Sequence, residues 1–164
     1  MHGCQKGFSL TELMVILTII GILGLIAAPN IVTALPDYRL KSSARNICSH
    51  LRKARSCAVK QNRTISVAFK INDRCYLIDG SDLIALAAGI SFGCGNAAQS
   101  ATGEQPPADG VSFLNNVVSF TPQGLVSGTS GYVYIQNNKG HAYAIGARTS
   151  GSIIMRQWNG TAWK

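Results

Sequence analysis

The sequence predicts an α+β chain, a long N-terminal helix followed by a head of short antiparallel strands. Three observations carry this. Residues 13–28 read LMVILTIIGILGLIAA, an uncharged apolar run. Beyond it, Leu40, Ala44, Ile47, Leu51, Ala54 and Ala58 recur at steps of four and three, one apolar stripe along a helix. From residue 64 onward, short β-branched and aromatic segments alternate with Gly, Asn, Asp and Pro. A single long helix ahead of such strands gives an α+β architecture.

The apolar helix comes first. With residues 8–10 and 31–32 it reaches about 25 residues, enough for a bilayer core of roughly 30 Å. Glu12 sits inside this segment. An ionisable group there is costly and marks function. Gly21 and Gly24 permit close helix approach, but their spacing is not GxxxG. Pro29 removes one backbone donor and is expected to kink or locally melt the helix. A secretory signal peptide cut near Ala27-Ala28 is the alternative, disfavoured by Pro29 immediately after and by Glu12 at the head of the run.

The stripe from Leu40 to Ala58 should pack the second half of the helix onto a sheet. Strands are expected at 64–71, 75–79, 111–114, 117–121, 131–136, 142–147 and 152–157. Asn62 and Asp73 look like chain reversals beside the first strand. Asn137-Asn138-Lys139-Gly140 reads as a hairpin turn. Residues 89–110, rich in Ala, Gly, Ser and Pro, are expected to form a long exposed loop.

Of the 164 residues, about 110 remain for the head, a normal size for one small core. Hydrophobics at 46% and charges at 13% fit an anchored chain better than a disordered one. The net charge of +8 is local. Residues 38–72 hold no Asp or Glu, yet contain Arg39, Lys41, Arg45, Arg52, Lys53, Arg55, Lys60, Arg63 and Lys70. Such a strip attracts nucleic acid, anionic headgroups or an acidic protein surface, or simply solvates a helix face. Lys6 alone precedes the apolar run, while Arg39, Lys41 and Arg45 follow it. By charge alone, the head would stay in the cytoplasm.

Cysteines stand at 4, 48, 57, 75 and 94. Cys48 and Cys57 would lie about 13 Å apart on one helix, too far to bond. Cys75 with Cys94 is the preferred disulfide, closing a loop in the head and requiring an oxidising compartment. Free buried thiols are the alternative. No Cys or His spacing suits zinc, so no metal site is expected. His50 and His141 fall in no known triad pattern, and phosphate-cradling Gly motifs are missing. No catalytic residue and no cofactor is expected.

Gly7-Phe8-Ser9-Leu10-Thr11-Glu12-Leu13, running into the apolar segment, resembles the cleavage region of type IV prepilins and type II secretion pseudopilins. The resemblance implies a pilin-like fold. It also implies a prepilin peptidase that cuts after Gly7 and methylates Phe8, so that residues 1–7 form a leader. Residues 8–32 would then be the transmembrane and assembly helix, 33–63 an amphipathic basic helix and 64–164 a β-rich periplasmic head. That orientation opposes the charge rule. Glu12 matches the family's glutamate at the fifth mature position. Its carboxylate would pair with the Phe8 amine of an adjacent subunit, because an unpaired charge in low dielectric is expensive. A Glu12 that snorkels to the interface without a partner is the alternative.

Ala54-Arg55 with Ala58 and Asn62, ahead of the first strand, resembles the GspH/FimT branch of minor pilins and pseudopilins. So do Phe120-Thr121-Pro122-Gln123-Gly124 and the closing stretch with Gly151. The implied protein is a non-enzymatic subunit in the inner membrane that joins a filament or its tip with other pilins or pseudopilins. Some members of this branch bind DNA through a basic C-terminal GRxR motif. Here the matching place reads Gly151-Ser152-Ile153-Ile154. Arg148, Arg156 and Lys164, interleaved with Trp158 and Trp163, are the residues for an alternative role in DNA uptake. Otherwise this end is a capping strand with a Trp packed on the head.

Overall fold

The computed structural model describes residues 9–164, with the side chains of 26–31 excepted. The leader, the Gly7–Phe8 junction and Cys4 lie outside the described residues. One helix, α1, runs Leu10–Gln61. The Leu13 N–H donates to the Ser9 carbonyl at 3.2 Å. Glu12 occupies the first turn, where unpaired N–H groups favour a carboxylate. The helix is assigned without a break across Pro29, whose side chain lies outside those described. The chain divides into two units, Met1–Leu35 and Pro36–Lys164.

Among the described residues, no helix is long and apolar enough to cross a membrane. The apolar run itself continues into residues 26–28, whose side chains are not described.

In the second unit, the chain after α1 forms nine strands. They are β1 (Ile65–Lys70), β2 (Cys75–Ile78), β3 (Asp82–Ala85), β4 (Ile90–Phe92), β5 (Val117–Phe120), β6 (Val126–Ser127), β7 (Gly131–Asn137), β8 (Ala142–Ala147) and β9 (Ile153–Gln157). All neighbours pair antiparallel, in two sheets: β3-β2-β1-β5-β6 and β4-β7-β8-β9. Asn62 ends α1 at φ 48°. The 137–140 turn closes with the Gly140 N–H on the Asn137 carbonyl at 3.1 Å.

The helix stripe is buried along its whole length: Leu40, Ala44, Ile47, Leu51, Ala54 and Ala58 are each 1% exposed or less. They share one core with Val67, Phe69, Val118 and Phe120 of the first sheet and Val133, Ile135, Tyr143 and Ile145 of the second. Full burial of a Leu or Ile in such a core stabilises by about 1.5–3 kcal/mol.

Strand β8 is buried on both faces. Tyr143, Ile145 and Ala147 face the main core. On the other face Ala144 joins Tyr132 and Tyr134 in a second cluster, against which Cys94, Ala101 and Trp163 pack. Residues 93–110 and the C-terminus thus cover this sheet. The expected exposed loop at 89–110 is corrected in two ways. Ile90–Phe92 is a strand on β7, and Ala101 lies against the tyrosines. The strand expected at 111–114 shrinks to one bridge, Val111 to Val133. A 3-10 turn at Leu114–Asn116 replaces the rest, with Asn115 and Asn116 at φ 54° and 58°.

Candidate assembly site

Among the described residues of the first unit, α1 is largely apolar and exposed. Leu13, Met14, Val15, Leu17, Ile19, Ile20, Ile22 and Leu23 are each more than half exposed. A helix surface of that kind requires lipid or other helices. Glu12 is exposed among them. Thr18 turns its hydroxyl back onto the Val15 carbonyl at 2.8 Å, so it adds no free polar group to the surface.

The three fragments that resembled the GspH/FimT branch meet in space. Arg55 Nε donates to the Gly124 carbonyl at 2.9 Å. Gly124 and Gly151 adopt φ 76° and 78°, a region that disfavours side chains. A Cβ on Gly151 would come within 1.9 Å of the Gly124 oxygen. The turn is closed by the Gly124 N–H on the Thr121 carbonyl at 2.8 Å, and Val126 donates to Thr149 at 3.1 Å. Helix, first sheet and second sheet are thereby tied at one point.

A second tie lies at the other end of the head helix. Asp37 accepts from Asn137 Nδ2 at 2.7 Å and Lys139 Nζ at 3.2 Å, and His141 Nδ1 lies 2.7 Å away. Asn137 Oδ1 in turn accepts the backbone N–H groups of Lys139 and His141. Desolvation pushes the Asp37 carboxyl upward. The hydrogen bonds from His141, Lys139 and Asn137, with the His141 charge, outweigh it and hold the carboxyl below its ordinary value. Further along, His50 Nδ1 lies 2.6 Å from the Tyr76 hydroxyl. Burial, with Lys53 nearby, lowers the His50 imidazole, and burial pushes the Tyr76 phenol up to about 12. Sequence reasoning missed Asp37 and the His50–Tyr76 contact. The lone acid just before a basic strip was the available signal for Asp37.

The expected Cys75–Cys94 disulfide is not formed; both are free thiols, as are Cys48 and Cys57. Cys75 begins β2 in the first sheet, while Cys94 follows β4 and packs on the far side of the second. Burial, with Asp109 nearby, raises the Cys94 thiol to about 11, which makes it unreactive.

Arg148, Arg156 and Lys164 are not brought into one patch. Arg148 and Lys164 bond through their backbones to Ser152 and Gln157, at opposite ends of β9. Between them, Arg156 Nη1 is committed to the Ala101 carbonyl at 2.9 Å. Trp158 is buried, and Trp163 Nε1 donates to the Gln99 carbonyl at 2.7 Å. The two indoles lie 5.4 Å apart. The C-terminus is a cap that holds the 93–110 segment down, and its aromatics are used for packing.

The family described as type II transport protein GspH matches residues 43–152. The prokaryotic N-terminal methylation motif matches residues 3–28. No curated protein matches the chain. Among solved structures, the chain is similar to the type IV minor pilin FimU of Pseudomonas aeruginosa, with a TM-score of 0.51 at 20% identity. That similarity covers 73% of this chain and 89% of FimU. It is also similar to the minor pseudopilin EpsH of the Vibrio cholerae type 2 secretion system, with a TM-score of 0.50 at 13% identity, covering 71% of this chain and 95% of EpsH. These likenesses establish the pilin-like fold.

Proposed function

The chain belongs to the GspH family of type II transport proteins, and from that premise we propose that it is a minor pilin or pseudopilin, a structural subunit of a type IV pilus or type II secretion pseudopilus. The observation that carries this reading is the methylation motif joined to a helix with exposed apolar side chains. Proteins of this type are built into filaments of the cell envelope with other pilin subunits.

The finer reading follows from the residues. Prepilin peptidase cuts between Gly7 and Phe8 and methylates Phe8. The retained segment, residues 8–32, holds the subunit in the inner membrane with its head in the periplasm. This placement favours the processing motif over the charge rule. Glu12 then pairs with the Phe8 amine of a neighbour and sets axial register as the helix leaves lipid for the filament. Pro29 marks the far end of that segment. Catalysis has no part in this role.

Intact mass and N-terminal sequencing of membrane-extracted protein, with and without a prepilin peptidase, test the reading. The expected product begins at N-methylated Phe8. An uncut Met1, or a cut near Ala28, would overturn it. Glu12→Val should leave cleavage intact and impair assembly; normal incorporation of that variant would remove the pairing role.

A further inference from the structure

The head helix carries a second stripe, opposite the buried one. Lys41, Arg45, Ser49, Arg52, Ser56 and Lys60 follow steps of four and three, and all are exposed. At 1.5 Å per residue the stripe is roughly 28 Å long. Among the described residues, none of its four cations is paired with a carboxylate; the ion pairs use Arg63, Lys139 and His141.

We propose that this stripe docks an α-helix of a different filament subunit, one bearing Asp or Glu at matching steps of four and three. The proposal rests on the filament reading above. Charge complementarity selects the partner. A second copy of this chain offers no such face. Its Asp37 and Asp79 are already engaged by Lys139 and Arg63. Its exposed Glu12 stands alone in the apolar run of α1, and its exposed Asp73, Asp82, Glu104 and Asp109 lie outside α1, on turns and an edge strand. Apposing two copies through this stripe would set cations against cations.

Other polyanions fit less well. Single-stranded nucleic acid needs stacking platforms between its phosphate contacts, and here serines stand between the cations. Short serines instead leave gaps that a neighbouring helix can enter. The chain is therefore suited to a place beside an unlike subunit and unsuited to self-stacking.

The test uses the full chain in cells, with a benzoylphenylalanine photo-crosslinker in place of Ser49 or of Ser56. Light should join it to a helix of a different subunit, at a stretch with Asp or Glu at matching spacing. Arg45→Glu combined with Arg52→Glu should lower the adduct about tenfold. Replacing the matching partner carboxylates by Lys should restore it. Lys41→Glu with Lys60→Glu is read the same way, and an unchanged melting temperature separates lost docking from unfolding. An adduct to a second copy, to nucleic acid, to lipid or to a helix lacking those acids overturns the proposal. So does the lack of any adduct, or a yield indifferent to charge reversal. A chain processed at Phe8 and present in filaments, yet giving such a result, overturns this proposal alone. An unprocessed chain overturns the filament reading with it.

Discussion

Arg55 and Gly124, far apart in sequence, are joined by a guanidinium-to-carbonyl hydrogen bond of 2.9 Å. Gly151 packs against the same carbonyl. This contact explains why a helix residue, a turn and a late glycine form one motif in the sequence. Each is needed to let the other two approach.

Gly151→Ala is the direct probe of that tie. The new methyl meets the Gly124 oxygen, and the residue must keep φ 78°. Left-handed backbone alone costs an alanine about 1–2 kcal/mol, and the clash adds to it. A loss of at least about 2 kcal/mol is expected in denaturant unfolding of the detergent-solubilised chain. Arg55→Ala should cost less, about 1 kcal/mol, because the side chain is largely exposed and water can replace it. Equal stability of Gly151→Ala and the parent would show that the tie is loose.

The core stripe gives a second expectation. Leu51 is fully buried between α1 and the sheets. Leu51→Ala should cost about 2–5 kcal/mol. Val59→Ala, on the exposed side of the same helix, should stay within about 0.5 kcal/mol. Unfolding midpoints of the two variants compare them directly.

That stripe was legible because a helix buried on one face writes its burial into a spacing of three and four. Strand β8 was legible at both ends because Gly140 and the Arg148–Gly151 turn punctuate it. By contrast, Ile90–Phe92 has three residues in an Ala- and Gly-rich stretch. Only pairing with β7 makes it a strand. The Cys75–Cys94 pairing failed for a related reason. Sequence separation does not reveal that Cys75 lies in the first sheet while Cys94 packs on the far side of the second. The methylation motif was readable in advance because it forms one contiguous string. The Asp37 clamp was not, since its partners come from a distant hairpin.

The Asp37 clamp predicts an acid limb in stability. Its folded carboxyl is held below the ordinary value. Its contribution is therefore complete above the unfolded carboxylate range, near pH 4, and is lost as pH falls through the lower folded value. Asp37→Asn should flatten the pH dependence of unfolding in that range and lower the melting temperature at neutral pH. An unchanged acid limb in the variant would exclude the clamp as its source.

The C-terminal cap makes a prediction about local order. Trp163 holds Gln99 through its indole N–H and packs on Tyr134 at 5.4 Å, while Arg156 holds Ala101. Trp163→Ala should speed amide hydrogen exchange across residues 97–104 with little change in β1 or β2, because the lost contacts lie on one face of one sheet. Exchange that rises equally in both sheets would mean the cap stabilises the whole head.

His50 predicts a separate limb near neutrality. Its folded imidazole is lowered, first by burial and then by Lys53, relative to an unfolded value near 6.5. The unfolded chain thus binds the proton more readily. Stability should be complete above about pH 6.5 and fall as pH drops from there toward the folded value. The Tyr76 hydroxyl stays protonated throughout, since burial holds it at about 12. The proton of the ring is therefore the one that changes at this contact. His50→Gln keeps a polar partner for Tyr76 and cannot titrate. It should abolish the dependence just below about pH 6.5 while leaving the Asp37 limb at lower pH intact. Persistence of the upper limb in His50→Gln would exclude His50 as its source.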